Sequence, residues 1–133
     1  MSTGPVAVVV VSHDGENCAV LRRIFRQNGW RVLERHAVAS FRDALKPRWS
    51  GVVLTESRLP DGTWEDILRY TEERCPHARV VVMSRLADDE LWAEVLNRGG
   101  FDLLAEPVDE NEVVRVGQSA WRQLRTAIPQ AVA

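Results

Sequence analysis

Gly51-Val52-Val53-Leu54-Thr55-Glu56-Ser57-Arg58-Leu59-Pro60-Asp61-Gly62 opens as an apolar, β-branched run and breaks into a polar turn. Residues 51–55 read as a strand buried on both faces, because nothing in the run alternates with polar residues. Pro60-Asp61-Gly62 reads as a turn in which proline presets φ and glycine permits positive φ. The same design recurs outward in both directions. Residues 6–11 precede Ser12-His13-Asp14-Gly15, residues 79–83 precede Ser84-Arg85, and residues 101–105 precede Glu106-Pro107. Residues 30–35 alternate weakly and read as a more exposed strand.

Helical stripes separate these runs. Cys18, Leu21, Ile24 and Phe25 form one, closed by Asn28-Gly29. Val38, Phe41 and Leu45 form a second, with Pro47 beyond its end. Trp64, Ile67 and Leu68 mark a third, which must stop near Cys75-Pro76. Leu91, Trp92, Val95 and Leu96 follow the acids Asp88-Asp89-Glu90, which suit a helix N-terminus. The last stripe is Val113, Val116, Ala120, Trp121 and Leu124; Asp109 and Glu112 sit at capping-box distance before it, and it fades before Pro129. Strand and helix therefore alternate about five times, which builds a parallel sheet covered by helices on both faces. The expected fold is α/β: a three-layer sandwich around a doubly wound, five-stranded parallel sheet of order 2-1-3-4-5. One domain over residues 1–133 is expected, with its core at about residues 6–125 and short disordered termini. In such sheets ligands bind beyond the carboxyl ends of the strands. Ser12, His13, Asp14, Glu56, Ser84, Arg85 and Glu106 all fall there, one step past a buried strand.

Composition removes several function classes. The chain has 133 residues, 45% hydrophobic and 27% charged, which is ordinary for a soluble domain. Nineteen acids oppose seventeen bases, so the net charge of −2 offers no attraction to nucleic acid or an anionic membrane. The longest apolar run falls far short of the ~20 residues needed to span a bilayer, and no basic segment precedes it as in a signal peptide. Two cysteines without CxxC spacing, Cys18 and Cys75, argue against a disulfide framework and suit a reducing cytoplasm. No i, i+4 histidine pair accompanies His13, His36 or His77, and no cysteine is read as a ligand partner for them, so no metal site is expected. Gly15 alone does not make a phosphate loop. Ser12 beside His13 lacks the oriented base and oxyanion hole that a hydrolase needs.

With these pieces in order, the chain resembles the receiver domain of two-component response regulators, the CheY-like, flavodoxin-like fold. Residues 51–62 resemble the strand and turn that carry the family's phosphoacceptor aspartate. Arg98-Gly99-Gly100-Phe101-Asp102-Leu103-Leu104-Ala105-Glu106-Pro107 is similar to the segment that ends in the family's Lys-Pro. Val80-Val81-Val82-Met83-Ser84 is similar to the strand that ends in a signalling Thr or Ser. The resemblance also implies which positions depart from the family. Glu56 stands where the phosphoacceptor aspartate is expected. Ser12 and His13 stand at the acidic pair that holds magnesium, with Asp14 beside them. Glu106 stands at the phosphate-pairing lysine, and Leu103 at the aromatic switch; Ser84 and Pro107 match.

These departures bear on chemistry. Phosphoryl transfer to a carboxylate needs a divalent cation to neutralise phosphate oxygens. Ser12 and neutral His13 are poor ligands for magnesium, which prefers carboxylates and water. Glu56 is one methylene longer than aspartate, which misplaces the attacking oxygen. The reading expects an atypical receiver that acts by protein–protein contact without phosphorylation, has no enzymatic activity and uses no cofactor. The alternative is a residual phosphoacceptor using Asp14 and Glu56 with Mg²⁺. An Arg–Glu network, with Arg85 or Arg58 paired to Glu56 or Glu106, is expected to fill the pocket; the other reading has Arg85 pointing to solvent. Expected partners are a histidine kinase, a downstream regulator or a second copy, and neither nucleic acid nor membrane. The face built by the fourth helix, fifth strand and last helix is the candidate docking surface, with Trp92, Arg98, Arg115 and Arg122 as its residues. No output domain is expected after residue 126.

Overall fold

The computed structural model describes residues 7–127; the expected disordered termini lie outside the described residues. Strand β1 (Ala7–Val11) is followed by α1 (Gly15–Gln27), β2 (Arg31–Arg35), α2 (Val38–Ala44) and β3 (Gly51–Glu56). Then come β4 (Arg58–Leu59), β5 (Gly62–Thr63), α3 (Trp64–Arg74), β6 (Ala78–Ser84), α4 (Asp89–Asn97), β7 (Asp102–Ala105) and α5 (Glu110–Ala127). The main sheet runs β2-β1-β3-β6-β7, all parallel, which is the order expected once the two-residue strands are set aside.

Alternate residues of the central strands feed two cores. Val8, Val10, Val52, Leu54, Val81, Met83 and Leu104 pack with Cys18, Leu21, Ile24 and Phe25 of α1 and Val113, Val116 and Ala120 of α5. Val9, Val11, Val53, Val80 and Val82 pack on the opposite face with Phe41, Trp64, Ile67, Leu68 and Val95. Burial on both faces is what the unbroken apolar runs encode. Trp30 stacks on Phe25 at 5.0 Å between ring centroids and lies against Gly117, where an added Cβ would sit 2.8 Å from the indole.

Two local findings differ from the sequence reading. Residues 58–63 form a small antiparallel hairpin, β4 with β5, rather than a bare turn. Gly62 is not among the glycines with positive φ; it is needed for space, because a Cβ there would meet Asp66 Oδ2 at 2.5 Å and Val38 Cγ2 at 2.9 Å. The hairpin also completes α2. Its N-cap is Ala37, which has no capping side chain. Asp61 supplies the missing acceptor, taking the N–H of Val38 at 2.7 Å and that of Ala39 at 3.0 Å. Those donors hold the Asp61 carboxyl below its ordinary range.

Glu56 and Ser84 are the last residues of β3 and β6, rather than one step beyond them. The ladder pairs Glu56 with Met83 and Ser84 with Ala105, which aligns the three strand ends. Backbone bonds just past the strands, from Ser57 N to Met83 O and from Glu106 N to Ser84 O, carry this row into the loops.

Candidate functional site

The row of strand ends opens into a cleft of about 430 Å³ lined by His13, Asp14, Glu56, Ser57, Arg58, Ser84, Arg85, Leu86 and Glu106. A second opening of about 470 Å³ lies beside it, lined by Asp14, Glu16, Asn17, Val20, Arg85, Glu106, Pro107 and Val108. The topology thus brings most of the sequence-predicted site residues to one place.

At the base, Glu56 is only 7% exposed. One carboxylate oxygen, Oε1, accepts the backbone N–H of His13 at 3.1 Å and lies 2.8 Å from His13 Nδ1. A single histidine thus meets this buried oxygen twice, with its backbone N–H as the hydrogen-bond donor and its imidazole nitrogen in close contact. His13 itself is mostly exposed, whereas Ser12, its neighbour at the strand end, is fully buried. The Ser12 hydroxyl turns back on its own loop, accepting Asp14 N–H at 3.1 Å and donating to Asp14 O at 3.4 Å. Asp14 caps α1: its Oδ1 accepts the N–H groups of Glu16 at 3.0 Å and Asn17 at 3.2 Å. Ser84 is buried and accepts the Leu86 N–H at 3.1 Å, which shapes the β6–α4 loop.

Glu106 faces this group from the end of β7, before a cis Glu106–Pro107 bond. Its Oε2 accepts a hydrogen bond from Asn17 Nδ2 at 2.9 Å. Burial raises its pKa first, followed by repulsion from Glu56; Arg85 counters in part, Asp14 adds repulsion and His13 adds attraction. Asn17 is a site residue that the sequence reading missed. Its signal was positional, since the first turn of α1 must overhang the carboxyl ends of the strands.

The expected arginine network does not form. Arg85 is 82% exposed, and its Nη2 lies 3.9 Å from Asp14 Oδ2 rather than beside Glu56 or Glu106. Arg58 is exposed and pairs with neither glutamate among the described residues. Glu56 finds its partner 43 residues away in a backbone N–H and an imidazole, so a guanidinium is not needed. No three of His13, Asp14, Glu56 and Glu106 bring one ligand atom each within 4.8 Å of one another; among the described residues that spacing is met by Cys18, Glu34 and His36.

On the candidate docking face, Trp92 is 48% exposed and its Nε1 donates to Asp102 Oδ1 at 3.3 Å. Leu103 is half-buried, and with Trp92, Ala105 and Glu112 it lines a shallow cleft between α4, β7 and α5. Arg115 and Arg122 are exposed on α5, and Arg122 reaches Ser119 Oγ at 3.5 Å. Arg98 departs from this group. Its Nη1 lies 2.8 Å from Glu65 Oε2, so it ties α4 to α3 on the opposite side of α4.

Glu106→Gln is expected to raise thermal stability at neutral pH, because it removes a desolvated charge facing Glu56 while leaving an acceptor for Asn17. A carboxyl whose folded pKa is raised binds its proton more tightly when folded, so stability falls as pH rises from the ordinary glutamate range to the raised value. The gain of the variant over the parent must therefore be present at neutral pH and vanish in acid. Melting curves across that range check it.

Comparison with known proteins agrees with this architecture. The model of the response regulator receiver domain matches residues 8–117. The chain is 27% identical over 107 residues to the transcriptional regulatory protein FixJ of Azorhizobium caulinodans, covering 80% of this chain and 51% of FixJ. It spans between 16% and 58% of the length of the curated relatives it matches. A signal receiver domain of an HD domain-containing protein from Pseudomonas fluorescens Pf-5 superposes with a TM-score of 0.82 at 15% identity, covering 92% of this chain and 98% of that one. The beryllofluoride-activated NtrC4 receiver domain dimer gives 0.82 at 16% identity, covering 89% and 98%.

Proposed function

The chain belongs to the response regulator receiver domain family, and from that premise we propose that it is a receiver that signals by protein contact without phosphoryl transfer. The observation that carries this reading is Glu56, whose buried oxygen already accepts the His13 backbone N–H and lies against the His13 imidazole. The donor set is also a poor match to Mg²⁺, which demands near-octahedral oxygen ligands at about 2.0–2.1 Å. One oxygen of Asp14 is spent on the α1 cap, Ser12 is turned into its own loop, and the pocket carboxylates do not converge. Glu106 replaces a phosphate-binding cation with a like charge. No step is therefore assigned through a metal, and no enzymatic activity is proposed.

Partners follow from the surface. Trp92 and Leu103 line the cleft between α4, β7 and α5, and Arg115 and Arg122 are exposed on α5, a surface that suits a histidine kinase, a downstream regulator or a second copy of the chain. Dimeric assembly of the similar NtrC4 receiver supports the last of these. Nucleic acid and membrane are not proposed as partners: the net charge is −2, and no helix among the described residues is long and apolar enough to cross a membrane. A cytoplasmic setting is proposed with this reading.

The competing reading, a residual phosphoacceptor, draws on Asp14 Oδ2, which lies 3.9 Å from the Arg85 guanidinium and outside the α1 cap that Oδ1 makes. Beryllofluoride with Mg²⁺ separates the two. Contact-only signalling expects the backbone amide spectrum of Glu56, Ser84 and Asn17 to be unchanged at saturating reagent. Stoichiometric shifts centred on Glu56 would support the phosphoacceptor instead.

A further inference from the structure

Away from the cleft, the edge strand β2 and the buried face of α1 bring together three side chains that the sequence keeps apart. Glu34 and His36 have the same parity as Val32, which packs on the core beneath α1, so both belong to that face of the strand end. Cys18 lies on the buried stripe of α1, one turn before Arg22. One ligand atom each from Cys18, Glu34 and His36 lies within 4.8 Å of the other two. The sequence reading expected no cysteine partner for His36, because Cys18 is remote along the chain.

We propose that Cys18, Glu34 and His36 form a binding site for a borderline divalent transition ion, zinc foremost. Thiolate, imidazole and carboxylate together are the donor set of Zn²⁺ and ill-suited to Mg²⁺ or Ca²⁺. Bonds of about 2.0–2.3 Å in a tetrahedron place ligand atoms roughly 3.3–3.8 Å apart. The observed cluster is thus within a small side-chain adjustment of coordination. The outer shell is already built. Arg22 grips Glu34 with both Nε and Nη2, the latter 2.8 Å from Oε1, so one oxygen can turn to the metal while the other keeps its guanidinium. The Cys18 thiol points at Ser12 O at 3.5 Å; on binding, its proton leaves to solvent and a metal–sulfur bond forms, with no change of oxidation state. The ligands grade from buried Cys18 through half-buried Glu34 to exposed His36, which provides an entry path and leaves the fourth position to water. The bound ion would staple the sheet edge to α1 next to the Ser12–Asp14 turn.

Cobalt titration of the full chain tests this, with Co²⁺ as the coloured stand-in for Zn²⁺. The expected result is one ion per chain, with a thiolate-to-cobalt charge-transfer band and tetrahedral visible bands. Zn²⁺ displaces these, and a large excess of Mg²⁺ does not. His36→Ala changes an exposed side chain, so the metal-free melting curve stays put while affinity falls at least tenfold. Arg22→Gln weakens binding on the order of tenfold by freeing Glu34. Cys18→Ser abolishes the charge-transfer band, and its own melting curve reports whether the buried substitution is tolerated. Absence of the band in the folded parent, or undiminished affinity in His36→Ala, overturns the proposal.

Discussion

A variant carrying His13→Asp, Glu56→Asp and Glu106→Lys is expected to bind Mg²⁺ and accept a phosphoryl group from acetyl phosphate, whereas contact-only signalling expects neither of the parent. The reasoning is electrostatic. Like charges about 5 Å apart at an effective dielectric of about 20 repel by roughly 3 kcal/mol, and opposite charges gain as much. Exchanging Glu106 for lysine therefore swings the interaction with residue 56 by on the order of 6 kcal/mol before solvent screening. Replacing His13 with aspartate releases Glu56 Oε1 from its imidazole partner and adds a hard oxygen ligand beside Asp14. Shortening residue 56 draws the nucleophile back by one methylene. Calorimetric titration with Mg²⁺ and intact-mass measurement after acetyl phosphate treatment check both halves. A variant that folds yet binds no Mg²⁺ would show that cleft shape, rather than charge, is the barrier.

Phe41→Ala is expected to destabilise the protein by about 3–5 kcal/mol, the range for emptying a buried aromatic position. Phe41 is fully buried between α2 and the sheet, in the cluster with Val9, Val11, Val53 and Trp64. Its ring meets Tyr70 edge-on at 5.8 Å. That loss is a large share of the 5–15 kcal/mol typical of a domain. The matching control is Trp92→Ala, which removes an aromatic of greater volume from a 48% exposed position and should cost within about 0.5 kcal/mol. Urea denaturation of both variants reads the contrast. Equal losses would place Trp92 in the structural core and remove it from the docking face.

The fold was legible because burial on both faces leaves an unmistakable trace. Residues 8–11 and 52–54 are apolar without interruption, and every one of them is buried. Helical stripes were equally plain: Cys18, Leu21, Ile24 and Phe25 are the four buried residues of α1. What failed was whatever depends on which neighbour a side chain meets. Two-residue strands such as β4 and β5 carry no periodicity, so the hairpin and its donation of Asp61 to α2 were invisible. Arg98 looked like part of a docking patch because helical spacing gives a position on α4; only the packing of α3 reveals Glu65 within 2.8 Å. Within the cleft, the crowd of residues could be foreseen from topology but its pairings could not. Arg85 has the charge to meet Glu56, yet His13 reaches that carboxylate with a backbone N–H and a ring nitrogen from one rigid turn, at less conformational cost than ordering a long exposed arginine. Cys18, Glu34 and His36 escaped for the same reason: they meet across an element boundary, where sequence separation says nothing about distance.

The most direct test is intact-mass spectrometry of the unmodified chain after incubation with acetyl phosphate and Mg²⁺. A contact-only receiver returns the starting mass unchanged under conditions that label an active receiver to completion. A stable phosphoryl adduct mapped to Glu56 or Asp14 would contradict the account.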